Sequence, residues 1–257
     1  MTPHRRTRAG RSLPTRVAGS ICACTLVLCI SMLGEIAAER DHLRLTDNGM
    51  ETNRAPRARV FQEGDTSERP LSHLDVGGTA IDCNVGELAP AMSDAYYLTH
   101  ACDGSFSRFG CPYLDRRSSA DSVHILIYGH HIACSPAVFG ELAACYRQGE
   151  FDSLGYARLT TVEPGGAPRT VTFLPFCALR VPATYSAIQC FRFDSHESRL
   201  AWLASVSGDA TARCEDWQER LAGARQVLTL VTCTEGNGHS GHRTLVLFVS
   251  GERDGAA

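Results

Sequence analysis

Between residues 227 and 232, β-branched and aliphatic side chains alternate without a charge, which is the pattern of a strand, and the run delivers Cys233 at its end. Residues 244–250, Thr-Leu-Val-Leu-Phe-Val-Ser, read as the next strand. The linker between them, 234–242, holds three glycines and is polar throughout, as a flexible hairpin loop should be. An antiparallel return across that loop sets Arg243 beside Cys233, because paired strands lie about 5 Å apart. Upstream, residues 123–131 form an apolar run that ends in Gly129, His130 and His131. Further strand-like runs lie at 159–162, 171–174 and 176–181, and an opening stretch runs from Leu74 to Asp82. Two blocks depart from the period of two. Residues 136–146 place apolar side chains at helical spacing behind Pro136, a tolerated first-turn position. Residues 194–222 switch to a helical pattern carrying Leu200, Trp202, Leu203, Trp217 and Leu221. The tryptophans are read first as packing residues and second as groove residues. Many short strands and one amphipathic block predict a mainly β fold: a closed, mostly antiparallel barrel with short helices and a helical insertion ahead of the cysteine strand.

The first seventy residues have a different texture. Residues 1–16 carry Arg5, Arg6, Arg8, Arg11 and Arg16 and no acid, and residues 17–34 then run without a charge. A run of about 18–20 apolar residues can span a bilayer with its arginine flank in the cytoplasm. The expectation is a cytoplasmic tail (1–16), an uncleaved transmembrane signal anchor (17–34) and an extracellular remainder. A cleaved signal peptide ending near Ala38 is the competing reading, and it gives the same location for the rest of the chain. Residues 35–70 are polar, charged and poorly periodic, and read as a stalk. The catalytic domain is then expected over 71–257.

Composition narrows the function classes. The 257 residues have a net charge of −3, which gives no basic footprint for nucleic acid. A hydrophobic content of 44% is enough for a proper core.

The hairpin mouth carries the candidate chemistry. A thiolate is the reactive form of cysteine, and a fixed guanidinium can steady a developing oxyanion, so Cys233 and Arg243 make a catalytic pair. The bland reading of the same residues is a small buried cysteine and a surface arginine. Thr-Leu-Val-Thr-Cys233, with arginine ten positions on and Tyr128-Gly129-His130 upstream, resembles the sortases, the cysteine transpeptidases that attach proteins to the Gram-positive cell wall. Gly78-Thr79-Ala80-Ile81-Asp82, Asp94 to His100, Asp103 to Gly110 and Leu114-Asp115 resemble class B in the same order, so the resemblance covers about residues 71–250. Two departures stand out. Cys83-Asn84-Val85 replaces the usual Tyr-Pro-Val, and His131 stands where the family has asparagine after the histidine.

The resemblance implies a fold and a set of roles. The fold is a sortase barrel with a long helical insertion between the sixth and seventh strands. Cys233 is the nucleophile, His130 the proton carrier and Arg243 the holder of substrate or oxyanion. His130 is preferred to His131 because it directly follows Tyr-Gly. Thr232 and Glu235 are candidate substrate-binding residues, with solvated loop charge as the other reading of Glu235. The implied reaction cleaves a C-terminal sorting signal (NPxTN- or LPxTG-like) on a surface protein. The acyl group then passes to an amine of lipid II or a peptidoglycan stem peptide. No cofactor is implied. His239 and His242 near a cysteine invite a zinc reading, but surface loop residues fit the frame better. Two alternatives stand beside this one: a pilin-polymerising sortase and a catalytically inactive surface-binding module. A papain-type peptidase is disfavoured, since its cysteine opens a helix ahead of its histidine. Cys22, Cys24 and Cys29 lie in the predicted span. Cys83, Cys102, Cys111, Cys134, Cys145, Cys177, Cys190 and Cys214 are compatible either with disulfides or with free thiols.

Overall fold

The computed structural model describes residues 71–131, 138–162, 167–235 and 241–251, all within one compact unit. The predicted tail, signal anchor and stalk lie outside the described residues, as does His239. Among the described residues no helix is long and apolar enough to cross a membrane.

The described chain is mainly β. Its strands are β1 (Leu71–Val76), β2 (Asp82–Val85), β3 (Tyr113–Leu114), β4 (His124–Tyr128), β5 (Ala157–Val162), β6 (Arg169–Pro182), β7 (Ala212–Arg213), β8 (Gln226–Cys233) and β9 (His242–Ser250). They pair in the order β2-β1-β5-β6-β9-β8-β4-β3, with β7 beside β6. All pairings are antiparallel except β4 with β8, which are parallel. The two ends of this sheet meet at a bridge between Gly86 and Tyr113, where Gly86 N donates to Pro112 O and Leu114 N to Gly86 O. The barrel is therefore nearly closed rather than a continuous ring. Its edge strands are only four and two residues long, too short for a full ladder.

Burial explains why the strands differ in sequence texture. β5 alternates, with Ala157, Leu159 and Thr161 inward, because its other face is wet. β8 and β9 are buried almost throughout because both of their faces are covered. Inside the barrel, Leu228, Leu230, Val246 and Phe248 pack with Ile125, Ile127 and Phe173. Outside it, Val227, Val231, Leu245 and Leu247 pack with Leu126, Leu179, Leu203 and Val206.

The outer layer is helical. The predicted block at 194–222 is two helices, α2 (His196–Gly208) and α3 (Trp217–Gly223), separated by β7; the short α1 (Gln148–Phe151) precedes β5. Ser195 caps α2: its hydroxyl accepts from Ser198 N (3.1 Å), while Ser198 Oγ accepts from Ser195 N (3.0 Å). Two other expectations are corrected. The runs at 171–174 and 176–181 belong to one strand, β6, which tolerates Pro175 because a register shift falls between Pro175 and Cys177. The helix expected over 136–146 is a 3-10 helix over Gly140–Ala144. It cannot begin earlier: Val138 is bridged to His131, and Phe139 N donates to His130 O (3.0 Å).

One polar side chain at the start of β4 is fully buried. His124 Nδ1 donates to Cys190 O (2.8 Å), and its Nε2 accepts from Thr229 Oγ1 (2.9 Å). Burial pushes its pKa down to about 4. An unfolded chain protonates the imidazole near 6.5, so between about pH 6.5 and 4 the unfolded state binds the proton and the folded state does not. Stability is full above pH 6.5 and falls as the pH drops through that window, by on the order of 3 kcal/mol for this group. Melting curves from pH 7 to 4.5 should show a smaller acid loss for His124→Gln than for the natural chain. Parallel curves would contradict this assignment.

Candidate active site

The strand register assembles the site. β8 and β9 pair Cys233 with Arg243, and β6 and β9 pair Val181 with Arg243. β4 and β8 pair Tyr128 with Val231 in parallel, and Gly129 N continues the ladder by donating to Val231 O (2.9 Å). Carried two residues on, that register sets His130 alongside Cys233. Parity fixes the faces, since side chains alternate along a strand. Val231 and Leu245 pack in the outer cluster with Tyr128 against them, so Cys233, Arg243 and His130, each two residues from one of these, belong to the outer face. All three are half-buried.

His130 is oriented by backbone. Its Nε2 lies 3.0 Å from Leu98 O, and a carbonyl only accepts, so Nε2 carries a proton and Nδ1 is the ring nitrogen left to accept. Gly129 is required behind it: a Cβ there would lie 2.4 Å from the ring of Phe139. His131 plays a different part, its Nδ1 donating to the Cys233 carbonyl oxygen (2.9 Å). It ties β4 to the end of the cysteine strand through backbone, not through the thiol. Cys233 is not disulfide-bonded. Arg243 Nη1 donates to His242 O (3.1 Å).

Of the two candidate binding residues, Thr232 faces the other way and Glu235 lies past the strand end, two residues from Cys233. Thr232 is 2% exposed, alternates to the interior side, and its Oγ1 makes no hydrogen bond among the described residues. Its strand partner Thr244 donates to Ala143 O (2.8 Å). The Glu235 carboxylate accepts from Arg180 Nη2 (3.1 Å), and Arg180 in turn lies over the Tyr146 ring. No group of three or more metal-ligating side chains occurs among the described residues.

A wall beside the site had no signal in the sequence. The segment joining β6 to α2 lies over the outer face of β4: Ile188 is buried, Trp202 Nε1 donates to Ala187 O (2.8 Å), and His124 holds Cys190 O. Gln189 accepts from Arg117 and reaches the Tyr128 hydroxyl at 3.4 Å. Tyr128 OH and Arg117 both donate to Asp115, at 3.0 and 2.6 Å. Burial alone would raise the Asp115 carboxyl, but the hydrogen bonds from Arg117 and Tyr128 outweigh it and hold the carboxyl below the usual range. Burial pushes the Tyr128 phenol up to about 12, so it stays a neutral donor. The pieces of this network come from residues 115, 117, 128 and 189, and only the fold brings them together.

Solved structures share this architecture. Sortase B of Clostridium perfringens superposes with a TM-score of 0.56 at 22% identity, over 70% of this chain and 92% of that one. The fold is class B sortase-like. A sortase B from B. anthracis in complex with AAEK1 gives 0.58 at 18% identity, over 73% of this chain and 81% of its own. The Staphylococcus aureus sortase B–substrate complex gives 0.55 at 15%, over 70% and 78%. No protein-family model matches the chain, and no curated protein matches it. At these identities the likeness is one of fold, and the chemistry of the sortase-like barrel in this chain has to be argued from its own residues.

Proposed function

We propose that the protein is a membrane-anchored cysteine transpeptidase of the sortase B type, with its catalytic domain outside the cell. What supports this reading is the pairing of Cys233 with Arg243 on a sortase-like barrel, together with the β4–β8 register that, carried two residues past Tyr128, runs His130 alongside Cys233. Cys233 attacks the carbonyl carbon of the scissile bond in a C-terminal sorting signal, and its proton passes to His130 Nδ1. Arg243 steadies the oxyanion of the tetrahedral intermediate with charge-assisted hydrogen bonds. As that intermediate collapses, the C–N bond breaks, His130 returns the proton to the leaving amine, and the acyl half remains as a thioester on Cys233. An amine from lipid II or a peptidoglycan stem peptide then attacks the thioester. This forms a new amide and restores the thiol, with slow hydrolysis where no amine arrives. Thr232 shapes the floor under the cysteine and Glu235 orients Arg180 at the hairpin mouth.

The test is a set of fluorogenic peptides of NPxTN and LPxTG type, offered with and without an oligoglycine or stem-peptide amine. The expected result is cleavage, a protein mass increased by the acyl half, and an amide product only when the amine is present. Absence of both cleavage and adduct across the set would overturn the reading.

A further inference from the structure

Cys102 and Cys111 take no part in the reaction above, yet they are bonded to each other, with Cα atoms 5.7 Å apart, nine positions apart in sequence. That separation is usual for bridged cysteines. The bond closes the segment that leads from the 3-10 turn at Tyr96–Leu98 towards β3. This segment meets His130 through backbone. Leu98 O accepts the His130 Nε2 proton. Cys111 N donates to Tyr97 O (2.9 Å), so one of the bonded residues itself holds the turn that offers Leu98. Gly110, in the left-handed region at φ +67°, lies so close that a Cβ there would be 2.2 Å from Tyr97 O and 3.1 Å from His130 Cδ2.

The segment is buried at both ends, at Tyr97 and at Ser107, Phe109 and Cys111, and open at its tip. Asp103, Gly104, Ser105 and Phe106 are exposed, Phe106 to 72%. Its internal bonds, Ala101 N to Ser105 O (2.9 Å) and Ser107 N to Thr99 O (3.0 Å), span the same exposed loop. Loops of this kind open locally at low cost, and a covalent closure removes that freedom.

We propose that Cys102 and Cys111 are positioning residues for His130: their disulfide locks the loop whose Leu98 carbonyl fixes the imidazole with its proton on Nε2 and its lone pair on Nδ1. The proposal deepens the transpeptidase reading and rests on the role given there to His130. Cys83, Cys145, Cys177, Cys190, Cys214 and Cys233 are thiols, so among the described residues a reductant acts at this bond alone. Dithiothreitol opens it by thiol–disulfide exchange: the dithiol is oxidised to its cyclic disulfide, and Cys102 and Cys111 each gain a hydrogen.

The experiment uses the full-length protein in three forms: oxidised, reduced with dithiothreitol, and Cys102→Ser/Cys111→Ser. Peptide mapping after alkylation establishes the thiol state, and melting curves establish that each form is folded. Reduction is expected to lower kcat/KM for the sorting peptide by roughly tenfold or more, mainly through kcat, since small misplacements of a catalytic group are costly. In a His130→Ala background the same reduction should change nothing further, which a general loss of structure would not reproduce. Equal activity in the oxidised and reduced forms, or an equal fold-loss in the His130→Ala background, would overturn the proposal. Should the double variant not fold, dithiothreitol treatment of the natural chain gives the same comparison. Should the oxidised chain cleave no peptide, the transpeptidase reading fails, and the brace is judged on the imidazole ¹⁵N shifts of His130. A change on reduction, away from the Nε2-protonated pattern, sustains it; identical spectra overturn it.

Discussion

Cys233→Ala is expected to abolish both cleavage of a sorting peptide and formation of the acyl-enzyme, while the fold melts as before. The substitution removes one sulfur from a half-buried position at the end of β8 and leaves the ladder with Arg243 intact. The other buried thiols cannot substitute for it. Burial pushes Cys145 up to about 12 and Cys177 higher still, so neither is ionised near neutral pH. Cys214 is likewise raised by burial, to about 11. Intact-mass measurement after incubation with peptide reads the outcome directly. A Cys233→Ala chain that still turns over peptide would sink the thiol mechanism.

The second large effect separates the two neighbouring histidines. His130→Ala should cost about 10²–10⁴-fold in kcat, the usual worth of a positioned proton carrier. His131→Ala should cost far less, because its ring reaches the Cys233 carbonyl and not the thiol face, and the β4–β8 ladder already holds that strand end. Equal losses at both positions would contradict the division of labour derived from their hydrogen bonds.

Much of this was legible in the chain, and the division follows range. The β8–β9 hairpin and the pairing of Cys233 with Arg243 are local: period-two alternation and a glycine-rich loop specify them. The amphipathic block was readable because one helix face packs on the sheet, although β7 splits it. The helix expected at 136–146 was not readable as a 3-10 helix, because the bond from Phe139 N to His130 O that delays its start is tertiary. The single strand β6 looked like two runs because Pro175 interrupts the alternation at a bulge. The bridge of Gly86 with Tyr113, the wall carrying Gln189, and the pairing of Cys102 with Cys111 have no periodic signature. They arise only when distant segments share a surface. The roles of His130, Cys233 and Arg243 were drawn from a resemblance in short motifs, to which the structure adds faces, tautomer and register.

The parallel pairing of β4 with β8 also has a consequence for biogenesis. His130 and Cys233 come from segments about a hundred residues apart, as the 102-residue separation of His131 from Cys233 shows. Such non-local pairings form slowly, after the intervening chain has ordered. As the polypeptide emerges, the histidine strand must wait for nearly the whole domain before its partner arrives. Until β8 is made, one edge of β4 has no strand to pair with, and its ladder groups stay open to other chains.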